Sequence, residues 1–539
     1  MQVDTLIVNG RIWLGKGDGF AQSVAIADGK VVATGSDARM LELAGEGVET
    51  IDLGGRFAMP GIYEAHAHLS SYGVGLQNID VGPKAVASVA DILDLIRAKA
   101  AVTPAGGWIL ARGYDHTRLA EGRHPHRTEL DAAAPDHLVY VTRTCGHVAV
   151  ASSNLLATVG IGHNTPDPDG GTIERDGTGL SGLLAENARF PIIALMPKLS
   201  VDDYVTGIEA GGHHMLSWGI TSTMDAGVGM SNGWTELEAY RKGLADGRLP
   251  LRVTICLMGD KEKNIFERAV AEGITGKTGC DMLRFGPVKF FTDGSAGSYT
   301  AAMSRPYEGT ESTGVFCLSD DECDALAKRV HEAGFQMAIH AIGDAAIEQV
   351  LNAIDKADAA FPRKDARHRI EHCGWLTTEQ MARMVRMGVL PAPQPTFMYY
   401  FGENYVKALG MERSAFAYPM RAYVDAGLNP SASSDCPVTP MNPFPSIYNM
   451  VTRKTWKGLE IGADQCLSME EALHCYTGAA AFATHDEDRK GRLVPGQFAD
   501  IAVLSQDLFT ADPETIPDTT CEMTILGGKV VYTAGAAAQ

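Results

Sequence analysis

Six residues of metal-binding type end short apolar runs along this chain. They are His66 and His68 in MPGIYEAHAHL, Lys289 in FGPVKFFTDGS, His340 in QMAIHAIGD, His372 in RHRIEHCG and Asp435 in SASSDCPV. Neutral imidazole suits zinc, iron, nickel or copper, and a carboxylate suits these and harder ions. Residues two apart on a strand face the same side, so His66 and His68 share a face and Ala67 turns away. One H-x-H pair says little in a chain with 16 histidines. Recurrence of such residues at successive strand ends says more. A (β/α)8 barrel builds its active site at the C-terminal ends of its strands. The set points to a metal-dependent hydrolase that holds one or two divalent ions.

Lys289 differs in kind from the rest. It stands inside the apolar run GPVKFF, where an ammonium is costly unless it is paired, neutral or modified. A neutral lysine can take up carbon dioxide as a carbamate (N6-carboxylysine), a carboxylate-like ligand able to bridge two cations. The alternative is an ion pair with nearby Asp293. Both readings stand at this point.

The elements that must position these residues form an α/β pattern. Runs at 60–66, 219–226, 252–258, 286–292, 335–341, 367–372, 388–393 and 430–435 supply eight strands of a (β/α)8 TIM-type barrel. Helical patterns at 323–334, 345–357 and 378–388 lie between several of them, which implies parallel βα units. The gap between the first two runs, about 150 residues, exceeds any ordinary βα connection. Residues 75–215 are therefore expected to be an insertion after strand one, at the catalytic face. It holds a helix in SVADILDLIRAKAA and a loop in HNTPDPDGGTIERDGTG. Both ends of the chain alternate apolar and polar residues and carry NG, DG and GG turn signals. Residues 1–58 and 487–539 are expected to form one small composite β-sandwich domain, leaving 59–486 to the barrel.

Composition narrows the partners. The chain has 539 residues, 46 basic against 66 acidic, and a net charge of −20. That charge works against binding nucleic acid or an anionic membrane surface. Ten cysteines are scattered without a CxxC pair, so neither a disulfide framework nor a zinc finger is suggested. The N-terminus MQVDTLIVNGRIWLG lacks the basic and apolar regions of a signal peptide, and no apolar stretch has membrane-spanning length. A cytoplasmic protein acting on a small-molecule substrate is expected, with homodimer formation left open.

The motifs PGIYEAHAHL, RTELDAAAPDHLVYVTR, GITSTMDAG, VKFFTDGSAGSYTAAM, IHAIGDAAIEQVL, RIEHC, SDCPV and LVPGQFADIAVL resemble those of the amidohydrolase superfamily. The resemblance is to its amidohydrolase-3 branch, which includes N-substituted formamide deformylases, and it covers nearly the whole chain. It implies a barrel with a composite β-domain. It also implies His66 and His68 on one metal, His340 and His372 on a second, and Lys289 as a bridging carbamate. Asp435 becomes ligand and proton shuttle, and zinc is the expected metal. The chain departs from the branch at Cys145-Gly146-His147, where Asp-Gly-His is common, and around Asp115, which lacks the usual tryptophan-rich surroundings.

Cleavage of a non-peptide C–N bond in a small amide or N-substituted formamide is the expected chemistry. His147, Asp115, Arg305 and Tyr307 are candidates for substrate contact, and two of them have a structural alternative: His147 as a hydrogen-bonded histidine, Asp115 as a residue that orients Arg118. Asp344 is read as the N-cap of the helix that follows it. Deamination of an aminated heterocycle is the first rival, and Glu371, expected to point away from His372, counts against it. The second rival is a non-catalytic ligand-binding barrel, against which stands the presence of all six metal-type residues.

Overall fold

The computed structural model describes residues 3–44, 47–83, 85–143, 148–177, 179–261 and 263–535. Seven parallel strands follow one another in chain order: β1 (Ile62–Ala67), β2 (Ile220–Val228), β3 (Arg252–Met258), β4 (Leu283–Phe291), β5 (Met337–Ala341), β6 (Arg369–His372) and β7 (Leu390–Ala392). Each pairs in parallel with the next. Every residue of all of them except β4 is buried, as a parallel sheet covered on both faces requires. Helices Asp320–Glu332, Asp344–Ala360 and Thr378–Met387 alternate with the later strands. The first and third start with capping boxes, Ser319 with Glu322 and Thr377 with Gln380.

The expected eighth strand at 430–435 does not form. Pro391 and Pro393 face that position and have no N–H to give to a ladder. The segment closes the barrel instead through separate contacts. Ser431 N–H reaches Pro391 O at 3.4 Å on one side, and Asp435 N–H donates to His66 O at 2.9 Å on the other. His68 N–H donates to Cys436 O at 2.8 Å, and Ser434 N–H to the Glu64 carboxylate at 2.8 Å.

Both chain ends enter one six-stranded sheet. Its central strand Phe57–Pro60 pairs with Arg11–Trp13 on one side and with Ile501–Leu504 on the other. A second, four-stranded sheet comes from the N-terminal segment alone. One apolar cluster joins residues of both sheets, among them Ile7, Val24, Ile12, Ile501 and Ile525.

Residues 74–203 form a second compact unit. It has its own six-stranded sheet and its own apolar clusters. The helix read in SVADILDLIRAKAA is present as Val89–Ala100, but the expected loop at 163–179 contains strand Gly171–Asp176. The unit also ends earlier than the expected 215. From Tyr204 onward, helix Val201–Leu216 belongs to the barrel unit. The reason is close packing: a Cβ on Gly73 would sit 1.9 Å from Gly207 O, so the two backbones touch. Among the described residues, no helix is long and apolar enough to cross a membrane.

Candidate metal centre

β1 delivers His66, and His68 follows one residue past its end. The segment that closes the barrel delivers Asp435 with φ +55°, and β6 delivers His372 with φ +68°. Donor atoms of His66, His372 and Asp435 all lie within 4.8 Å of one another, and all three residues are buried. Asp435 Oδ1 is 3.1 Å from His68 Nε2 and 3.4 Å from His66 Nε2. The His340 ring, from β5, lies 4.4 Å from the His372 ring. Five of the six expected residues thus form one group at the C-terminal ends of β1, β5 and β6 and on the closing segment.

Lys289 is 1% exposed, and its Nζ lies 4.8 Å from the Phe291 ring centre. Among the described residues no carboxylate comes within ion-pair distance of it. The alternative pairing with Asp293 does not form. Asp293 instead accepts backbone N–H groups of Ala302, Ile342 and Gly343 at 2.9 to 3.0 Å, and lies 3.3 Å from His340 Nε2.

Which nitrogen each histidine offers follows from its other partner. His340 Nε2–H donates to Gly294 O at 3.0 Å, which leaves Nδ1 bare. His372 Nδ1–H donates to Gln394 Oε1 at 2.6 Å, which leaves Nε2 bare. His66 Nδ1 is 2.5 Å from Glu371 Oε2, and Arg369 holds Glu371 from its other side. Among the described residues, His66 Nε2, His68 Nδ1, His340 Nδ1 and Asp435 Oδ1 are buried and find no hydrogen-bond partner. Unpartnered buried nitrogens and a carboxylate oxygen would be costly in a closed core, but they are what a divalent cation needs. The residues therefore fit a metal.

Burial opposes charge on Asp435, but His66 and His68 outweigh it and hold the carboxyl well below its usual range. Burial first, then the neighbouring His340, holds His372 well below 6.5, so it presents a neutral ring. Glu371 is likewise buried, yet Arg369 and His66 keep it ionised. Glu64, deep in the barrel, is pushed up to about 8 by burial.

Glu371 corrects a sequence expectation. It sits beside His340 in the parallel register of β5 and β6, so both share a face and point into the barrel. His372 was expected opposite Glu371. Its positive φ breaks the alternation and turns it back to the same centre. Arg369, Glu371 and Gln394 were not identified from sequence as parts of the site. The signal for two of them was present: opposite charges two apart on a fully buried strand.

Three of the four expected substrate residues are described. His147 falls outside the described residues. Asp115, in the 74–203 unit, accepts from Thr117 and from Arg143 Nη2 at 3.1 Å, and Arg118 reaches it through the backbone, N–H to Asp115 O at 2.9 Å. Tyr307 is buried and donates its hydroxyl to Ala301 O at 2.8 Å. Arg305 lines a separate cavity of about 230 Å³ with Asp344 and Trp375. Asp344 is the first residue of its helix, not the N-cap, which is Gly343; it accepts from Ser304 N at 2.7 Å.

Comparison with known proteins places this geometry. The profile of the amidohydrolase family matches residues 49–532. A protein of Bacillus subtilis (strain 168) named "Putative amidohydrolase YtcJ" is 31% identical over 95% of this chain and 96% of its own. The N-substituted formamide deformylase of Arthrobacter pascens is 28% identical over 94% of each chain. A solved structure of an uncharacterized metal-dependent hydrolase from Pyrococcus furiosus superposes with a TM-score of 0.77 at 28% identity. That match covers 94% of this chain and all of the other.

Proposed function

The chain belongs to the amidohydrolase family, a metal-dependent hydrolase acting on C–N bonds, and we propose that it cleaves a small amide or N-substituted formamide. The observation that carries the reading is the place of Asp435: a buried ionised carboxylate within 3.4 Å of two histidine nitrogens, at the mouth of the barrel. The deformylase relative, similar along nearly its whole length, supports the substrate class.

His66, His68, His340, His372 and Asp435 would hold one or two divalent ions, zinc in our reading, with Lys289 as a carboxylated bridging ligand. When bound, the metal supplies Lewis acidity, which makes water a stronger acid and draws charge from a carbonyl oxygen. Asp435 accepts the proton that the attacking water loses. It then gives that proton to the leaving nitrogen as the C–N bond breaks. An amine leaves poorly as an anion, so the return of the proton matters as much as its removal. Such acid–base work contributes roughly 100- to 10,000-fold in rate.

The test is a screen of metal-replete protein against formamides, acylated amines, cyclic amides and aminated heterocycles, following free amine, acid and ammonia separately. Amine and acid released together are expected. Ammonia from a heterocycle with no amide cleaved would move the protein to deamination, and no turnover of any class would leave a binding barrel.

A further inference from the structure

We infer that the buried Arg369–Glu371 pair is the positioning device for His66, and that it sets how tightly the metal is held. The inference rests on the metal reading of the site but not on any substrate.

Three contacts carry it. Arg369 grips Glu371 as a fork, Nε to Oε1 at 2.8 Å and Nη2 to Oε2 at 3.0 Å. The same Nη2 donates to Ala65 O at 3.0 Å, the carbonyl just before His66. Glu371 Oε2 then meets His66 Nδ1 at 2.5 Å. One guanidinium thus fixes both the backbone entering His66 and, through the carboxylate, the ring of His66. Because Glu371 accepts there, the proton sits on Nδ1 and the lone pair on Nε2, the atom 3.4 Å from Asp435 Oδ1.

The other histidines are supported differently. His372 is backed by the neutral amide of Gln394, and His340 Nδ1 and His68 Nδ1 have no partner. Asp293 Oδ1 also lies 3.3 Å from His340 Nε2, but it accepts backbone N–H groups of Ala302, Ile342 and Gly343; among the described residues, His66 is the candidate ligand whose carboxylate partner is itself gripped by a guanidinium. A carboxylate behind an imidazole raises its basicity and fixes its orientation toward a metal. Packing alone does not account for the pair. Arg369 and Glu371 are both fully buried, and hydrophobic residues in place of a buried ion pair are often as stable or more so.

Two variants and one spectrum test it. Glu371→Gln keeps the shape and removes the charge but strands Arg369, so Arg369→Met/Glu371→Gln is made beside it to remove both charges. Zinc affinity is measured by chelator competition on each folded protein. A 10- to 100-fold weakening is expected in both. In zinc-free wild type labelled with ¹⁵N-histidine, His66 should carry its proton on Nδ1. Zinc affinity within twofold of wild type in the folded double variant would overturn the inference, as would a His66 proton on Nε2. If the double variant does not fold, the wild-type spectrum decides alone. A wild type that binds no zinc would sink the zinc reading together with this inference, which separates that failure from one confined to Glu371.

Discussion

His372 Nδ1 lies 2.6 Å from Gln394 Oε1, and Gln394 Nε2 in turn donates to Ala392 O and Ser433 Oγ, each at 3.0 Å. One buried amide therefore ties the end of β6 to the end of β7 and to the segment that closes the barrel. It orients His372 where strand geometry alone would have turned it outward. Gln394→Leu should lower metal affinity or turnover by roughly tenfold or more. Gln394→Glu keeps an acceptor toward His372 and should retain most of both. Chelator competition with turnover assays on the same preparations checks this. Equal behaviour of the two variants would show that Gln394 serves packing only.

Lys289 offers two outcomes of opposite sign. A bare ammonium buried without a carboxylate is destabilising, and its replacement by Met should then raise Tm with activity kept. A carboxylated lysine that bridges metals predicts the reverse: Lys289→Ala loses most activity and metal, and added short carboxylic acids restore part of it. The second outcome is expected. A carbamate resonance after growth in ¹³C-bicarbonate would identify the group directly, and a fully active, stabilised Lys289→Met would exclude it.

A second histidine pair makes folding sensitive to acid. Met337 N–H donates to His368 Nδ1 at 3.0 Å, and His368 Nε2 is 2.7 Å from His331 Nδ1. His331 Nε2 then reaches Phe361 O at 2.7 Å. With each ring neutral, every nitrogen in this buried chain has a partner; a second proton on either ring has none. Burial first, then His331, holds His368 well below 6.5, and burial lowers His331 as well. The facing charges are Arg363, Asp358 and His485. Below about pH 6.5 the unfolded chain binds protons that the folded one refuses, so this stability is present above that pH and lost as pH falls. The expected slope is about 1.4 kcal/mol per pH unit per proton. Urea midpoints from pH 8 to pH 5 should drop, and His368→Gln should flatten the profile. A profile equally steep in the variant would place the acid sensitivity elsewhere.

The grouping of His66, His68, His340, His372 and Asp435 was legible because two independent signals coincided at each position: a residue able to bind metal, and the end of an apolar run. Strand direction then needed only the parallel βα rule. The misreadings have local causes. The run at 430–435 looks like a strand, but partner strand β7 carries Pro391 and is followed directly by Pro393, so it cannot complete a ladder with it. Glu371 looked outward-facing because period-two alternation assumes extended backbone, and His372 with φ +68° is not extended. Tyr307 and Asp115 were polar residues in plausible places. Nothing in spacing could tell that a backbone carbonyl and Arg143 occupy them.

Asp435 carries the last prediction. Its backbone is fixed twice over by neighbours: its own N–H binds His66 O, and the preceding Ser434 N–H binds the Glu64 carboxylate. The carboxylate is thereby held toward His66 and His68, and among the described residues no side-chain hydroxyl or amide competes for its proton. Asp435→Asn keeps this backbone and nearly the same volume but cannot take a proton from water. It should cut kcat on the order of 100-fold or more, with a smaller change in KM, as loss of an interaction made in the transition state requires. Asp435 also stands in the ligand group, so metal content must be measured on the same protein. Unchanged metal with reduced kcat assigns the proton role. Reduced metal whose replacement restores kcat would assign Asp435 to holding the ion alone.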